Sequence, residues 1–259
     1  MTTSTDPRPS DISTTSPRRV AIVTGGSRGI GRAISRRLAA DGFAVCVNHA
    51  GNAAAAEQTL TEIRDAGGTA IAIPGDVADQ HRIADLFDTV EQSFGGVDVV
   101  VNSAGRMALS PIAELDLETL DALHRTNIRG HVVVAQQAAR RLRTGGTFLG
   151  VSTTVVSTQL PGYGAYAASK GAIEAMTLIL ARELRGRDVT VNTIAPGPTA
   201  TELFLDGKSD EQVAALATAP PLERLGTPED IAAAAAFLAG PDGRWVNGQV
   251  LRANGGLAA

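Results

Sequence analysis

The feature that most constrains this chain is a short stretch near its start, Val20 to Gly42, in which an apolar run (Val20–Val23) leads into Thr24-Gly25-Gly26-Ser27-Arg28-Gly29-Ile30-Gly31. A helical pattern through Ala33, Ile34, Leu38 and Ala39 then follows. Period-2 or continuous apolar runs read as strands and recurrence every three to four residues reads as helix, so this is strand, glycine turn, helix. The same unit recurs along the chain. Strands are predicted at Ala44–Val47, Thr69–Ile73, Val97–Val101, Thr147–Val151, Val189–Ile194 and Gln249–Arg252. Helices are predicted at Asn52–Ala66, from the Asp79 cap to Phe94, as one long helix over Leu115–Leu142, at Tyr163–Leu184, and from the Thr227 cap to Leu238. Strands alternating with helices build a parallel sheet covered on both faces. The expected fold is therefore α/β: one Rossmann-like, doubly wound parallel sheet of about seven strands with helices on both faces.

That alternation spans residues 18–259 without a linker and predicts a single domain. The preceding seventeen residues are Ser, Thr, Pro and Asp with almost nothing apolar, which predicts a disordered tail over 1–17. With 259 residues, 44% of them apolar, the chain can bury a sizeable core. A net charge of −4 and the absence of a Lys/Arg stripe with interleaved aromatics argue against nucleic acid as a partner. No run is long and apolar enough to span a membrane. The one cysteine, Cys46, falls inside a predicted strand, so it reads as a buried inert thiol and fits a reducing, cytoplasmic setting.

The glycine turn has a definite chemistry. Glycines let a backbone bend tightly and approach a pyrophosphate, while the helix that follows aims free N–H groups and its positive dipole end at the phosphates. The spacing is G-x-x-x-G-x-G at Gly25, Gly29 and Gly31, with Ser27, Arg28 and Ile30 between them, and it names these six as cofactor-binding candidates. At the end of the next strand, where an NAD site carries an acid for the ribose 2′-hydroxyl, the chain reads Asn48-His49-Ala50-Gly51-Asn52. With no carboxylate there and Arg28 in the turn, NADP(H) is favoured over NAD(H), with Asn48, His49 and Asn52 lining that end. Asp76 is a candidate for the adenine amino group, with Val77 beside it. Asn102, Ala104 and Gly105 follow the next strand, where small residues let a cofactor lie against the strand end.

The reacting groups are read from the second half. Tyr166 and Lys170 lie four residues apart on a predicted helix, hence on one face. A free phenol with a pKa of about 10 is a poor acid or base at neutral pH, and a fixed ammonium would draw that pKa down. Thirteen residues before Tyr166 is Thr153, whose hydroxyl is expected to hydrogen-bond a substrate oxygen. Asn127 interrupts the long predicted helix and is a poor helix former that could open it. From Thr201 to Leu225 the strand and helix rhythm breaks, as two short helical stretches flank Gly207. Insertions beyond a strand's carboxyl end are where lids and substrate loops occur.

Together these residues resemble the short-chain dehydrogenase/reductase family over about Arg18 to Leu257. The motifs are TGGSRGIG at Thr24–Gly31, NSAG at Asn102 where the family usually has NNAG, Asn127, Tyr166-x-x-x-Lys170, and Pro196, Gly197 and Thr201 with Thr199 between. The likeness is strongest to the branch that resembles 3-oxoacyl-acyl carrier protein reductases, whose members commonly use NADPH and form tetramers. It implies that Tyr166 is the acid/base, that Lys170 lowers its pKa and binds the nicotinamide ribose, and that Asn127 positions a water in a proton relay. It further implies that Tyr166, Lys170, Pro196, Gly197, Thr199 and Thr201 contact the cofactor. The family's serine is replaced by Thr153, which keeps the hydroxyl but adds a methyl and a stiffer χ1.

The reading is an NADP(H)-dependent oxidoreductase that interconverts a ketone and a secondary alcohol, 3-oxoacyl reductase-like, with a small-molecule carbonyl or alcohol substrate. It names no metal ligand and implies a homotetramer or a dimer. Two alternatives are an NAD-dependent dehydrogenase of an alcohol, sugar or sterol, and a cofactor-binding but inactive regulator.

Overall fold

A computed structural model describes residues 18–259; the expected tail over 1–17 lies outside the described residues. The strands are β1 (Val20–Thr24), β2 (Ala44–His49), β3 (Thr69–Pro74), β4 (Val97–Asn102), β5 (Leu142–Val151), β6 (Thr190–Pro196) and β7 (Val250–Ala253). They form one seven-stranded sheet in the order β3-β2-β1-β4-β5-β6-β7, parallel throughout. The order reverses between β1 and β4, and ligands of open α/β sheets bind at such a switch point, outside the carboxyl ends of the strands.

Helices cover both faces. On one, α1 (Gly29–Ala40), α2 (Ala53–Asp65) and α10 (Pro228–Ala239) bury Ile34, Leu38, Leu60, Ile63, Ile231 and Leu238 against the sheet. On the other, α3 (Gln80–Phe94), α5 (Gly130–Arg141) and α7 (Gly164–Glu183) bury Ile83, Leu86, Phe87, Val134 and Ala181. The central strands β1, β2 and β4 are buried at every position, as their unbroken apolar runs require. Asp79 and Thr227 cap α3 and α10 as their sequences predict, the latter in a reciprocal capping box with Asp230. The two short helices after β6 are α8 (Glu202–Leu205) and α9 (Asp210–Thr218), either side of Gly207.

The predicted continuous helix over Leu115–Leu142 is not formed. α4 (Leu117–His124), capped by the Asp116 side chain, runs into a π-helical turn at Arg125–Arg129 before α5 begins. Asn127 sits in that widened turn, and its amide bonds elsewhere instead of facing solvent. Its Oδ1 accepts from the Arg106 N–H at 2.8 Å, and its Nδ2 donates to the Arg106 carbonyl at 2.9 Å. At the other end Leu142 turns extended and starts β5, five residues before the expected Thr147, pairing Val97 before a register shift. Together with α6 (Val155–Thr158), these elements deliver the functional side chains to one place.

Candidate active site

At the carboxyl ends of the strands lies a cavity of about 750 Å³. Every predicted site residue lines it except Asn102 and Asn127. Asn102 stands behind the wall: its Oδ1 accepts from the Thr24 hydroxyl at 2.6 Å, and its Nδ2 meets His131 Nδ1 at 3.0 Å. Thr24 Oγ1 in turn accepts from the Ala104 N–H at 3.2 Å, so Asn102 shapes the Ala104-Gly105 turn instead of touching a ligand there. Asn127 likewise clamps the next backbone unit, at Arg106, and donates to Ser169 Oγ at 2.9 Å.

The glycine end fits a dinucleotide phosphate. Helix α1 starts at Gly29 with no side-chain cap and no acid in its first turn, which leaves its N–H groups open. The turn must be this tight, because a Cβ at Gly31 would run into the carbonyl of Gly25. Arg28 at its edge is exposed, and its side chain makes no hydrogen bond or ion pair among the described residues. Beside it His49 is buried with its Nδ1 unpartnered, a polar atom for which a ligand would supply the missing bond.

Two candidates at this end have other employment. Asn48 is buried and donates to the carbonyls of Ile73 and Gly75, each at 3.1 Å, and Asn52 caps α2 by accepting from Ala55 N–H. Asp76 pairs with Arg125 at 2.6 Å and accepts from the Ala78 N–H, so both its oxygens are engaged.

Further along, α7 carries Tyr166 and Lys170 one turn apart, Lys170 buried and Tyr166 half-buried at the cavity wall. Lys170 Nζ donates to the Val151 carbonyl at the end of β5 at 2.7 Å. Gly105 is closed in by the same group, since a Cβ there would sit 3.2 Å from Lys170 Nζ and 3.5 Å from Asn127 Oδ1. The three hydroxyls after β5 separate cleanly. Ser152 donates to Glu174 at 2.7 Å, and Thr154 donates to the Ala195 carbonyl at 3.3 Å. Thr153 accepts from Val155 N–H at 3.3 Å, which leaves its O–H to donate into the cavity.

The protonation of the pair differs from the expectation that Lys170 draws the phenol down. Burial pushes Tyr166 up to about 12, and the nearby Thr153 hydroxyl only partly opposes this. Burial also pulls Lys170 down to about 8. Desolvation dominates at both groups, and Tyr166 holds its proton at neutral pH. The chain has two tyrosines, and burial raises the other, Tyr163, as well. At pH 10, where an ordinary phenol is half ionised, a near-ultraviolet difference titration of the ligand-free protein is expected to show well under half the tyrosinate signal. Half-ionisation of both groups at that pH would overturn the assignment.

Tyr163, Ser169 and His131 belong to the site and were not singled out from the sequence. Tyr163 lines the cavity three residues before Tyr166, and Ser169 bridges Asn127 to the Tyr166 carbonyl. His131, one turn after Asn127, is held neutral with a pKa near 3 by burial and by Lys170. Spacing from the residues already identified was the available signal for all of them.

A family model described as enoyl-(acyl carrier protein) reductase matches residues 25–258. A short-chain type dehydrogenase/reductase from Picea abies is 44% identical over 248 residues, covering 92% of each chain. The chain belongs to the short-chain dehydrogenase/reductase family. An NADPH-dependent aldehyde reductase-like protein of Arabidopsis thaliana, described as chloroplastic, is 41% identical over 92% of this chain and 93% of its own. Among solved structures, a short-chain dehydrogenase from Burkholderia cenocepacia in complex with NADP is 39% identical. It superposes with a TM-score of 0.86 over 93% of this chain and 98% of that one. These likenesses agree with the predicted fold and family. No described helix is long and apolar enough to cross a membrane.

Proposed function

We propose that this member of the family reduces a ketone or aldehyde to the alcohol, with NADP(H) as cofactor and Tyr166 as proton donor. The observation that carries the reading is the meeting of a protonated phenol, an anchored ammonium and the Thr153 hydroxyl in the cavity that also takes in the glycine turn. The turn, the open start of α1, Arg28 and His49 would hold the cofactor, which when bound supplies the hydride that adds to the carbonyl carbon. Tyr166 gives its proton to the carbonyl oxygen, and Thr153 donates a hydrogen bond to that oxygen as charge develops on it. Lys170 keeps its contact with Val151 and compensates the phenolate left behind. Asn127 and Ser169 hold the backbone on either side of the reacting groups.

NADPH consumption across a panel of aldehydes and ketones tests the reading. Including a short acetoacetyl thioester tests the finer form, 3-oxoacyl reduction. Turnover of any member separates an enzyme from an inactive cofactor-binding regulator.

Cofactor choice supplies a second expectation. NADPH should exceed NADH in kcat/KM by at least about tenfold, roughly 1.4 kcal/mol; equal constants would show that the turn after β2 does not read the 2′ position. His49→Asp should move preference toward NADH. Asn48→Asp is the poorer test, since it would face the Ile73 and Gly75 carbonyls with a carboxylate and should lower stability instead.

A homotetramer or dimer is also proposed. Trp245, the chain's one tryptophan, is 99% exposed, and Leu178 and Ile179 leave α7 with an exposed apolar face next to the loop at Gly248. Light scattering should give a mass at least twice that of the chain, and dilution to monomer should red-shift Trp245 emission. The single buried cysteine suits a cytoplasmic setting.

A further inference from the structure

The two ends of the cavity differ in chemistry. The β1–β3 end is walled by Ser27, Asn48, His49 and Asp76. The end beyond Tyr166 is walled by Met107, Leu160, Leu203, Phe204, Leu216 and Leu257, drawn from the loops after β4, β5, β6 and β7. We propose that this second end takes a substrate whose non-reacting part is apolar and uncharged, such as an aryl or alkyl carbonyl compound, with Phe204 and Leu216 setting that specificity. The proposal rests on the reductase reading and deepens it.

Leu160 and Leu203 are 41% and 45% exposed at the cavity wall. Large apolar side chains left wet around a concavity mark a surface that a ligand covers. The charged side chains lining this end are Arg106 and Glu202, both exposed and opposite in sign. The buried cation nearby, Lys170, is already bound to Val151. A carboxylate or a row of sugar hydroxyls brought against the apolar residues would shed water that those side chains cannot replace.

Phe204 is held in place for this task. Thr201 caps α8 by accepting from the Phe204 N–H at 3.2 Å, and its methyl lies against the glycine turn at Gly29. Lys208 donates to the Phe204 carbonyl, and its ammonium lies 4.7 Å from the centre of the ring. α9 then brings Leu216 to the same wall. The segment between Thr201 and Leu216 thus presents apolar side chains from anchored helices.

The test compares methyl 4-formylbenzoate, 4-carboxybenzaldehyde and glyceraldehyde as substrates of the NADPH-loaded enzyme. The first two share a ring and an electron-withdrawing group and differ in charge. The ester should exceed the acid and glyceraldehyde in kcat/KM by about tenfold or more, because only it avoids uncompensated desolvation. Phe204→Ser and Leu216→Ser should raise KM for the ester severalfold more than KM for glyceraldehyde, and Phe204→Leu should restore the ester's KM. Acid and ester turned over alike, or serine variants that slow all three substrates equally, would overturn the proposal. If no carbonyl consumes NADPH, the reductase reading fails, and binding still decides this one: methyl 4-(hydroxymethyl)benzoate should quench or shift bound NADPH fluorescence at concentrations where 4-(hydroxymethyl)benzoate does not. Equal responses to the two would overturn it.

Discussion

Tyr166→Phe is expected to lower kcat for carbonyl reduction at least a hundredfold, about 2.7 kcal/mol in barrier, while the dissociation constant for NADPH changes by less than about threefold. The substitution deletes one oxygen at the centre of the cavity and leaves the ring that packs α7. General acid catalysis by a positioned side chain contributes about 10²–10⁴ in rate, and among the described residues that line the cavity Tyr163 is the other phenol able to take over. Tyr163 therefore sets the control: Tyr163→Phe should retain most of the rate. Should Tyr166→Phe keep more than a tenth of wild-type turnover, the proton comes from elsewhere. The affinity for NADPH, read by its fluorescence on binding, keeps loss of the proton distinct from loss of the fold.

The protonation state of Tyr166 also marks a limit of reading chemistry from spacing. Two residues four apart on a helix identify the pair correctly, yet the direction of the phenol's shift depends on how deeply α7 buries it and on what else holds the lysine. Burial raises Tyr166, and the ammonium of Lys170 is committed to Val151. A phenol that keeps its proton is the form needed to reduce a carbonyl. The reverse reaction needs a base, so alcohol oxidation by the same site should require more alkaline conditions.

The fold was legible because the central strands are buried at every position and the long helices on one face, so periodicity separates them. Where the expectation failed, a polar side chain had a partner far away in the chain. Asn127 bonds the backbone of Arg106, across twenty-one residues, and the predicted long helix opens into a π turn to let it do so. Asn102 and Asn48 look like ligand residues at strand ends, but their amides are consumed by His131 and Thr24 in one case and by the β3 end in the other. Motif position predicts where such residues stand, whereas their hydrogen-bond partners decide which of their atoms are left for a ligand. The substrate end was the least legible part, since Phe204, Leu216 and Leu257 are brought together only by the tertiary fold.

Thr153 is the position where this chain departs from its family's serine, and its variants carry the second large effect. Removing a preorganised donor to a developing oxyanion costs about 10²–10³ in kcat. Thr153→Val removes the hydroxyl and keeps the shape, so it should fall in that range, while Thr153→Ser keeps the donor and should be at least as active as the parent. The neighbouring hydroxyls are poor substitutes for physical reasons: Ser152 donates to Glu174, and Thr154 donates to the Ala195 carbonyl. Ser152→Ala and Thr154→Val are accordingly expected to lower stability, through the partners they strand, with kcat near that of the parent. Normal rates for Thr153→Val together with loss of turnover in either neighbour would move the donor by one residue. Normal rates in all three would show that no hydroxyl after β5 takes part, and the developing charge would then rest on Tyr166 alone.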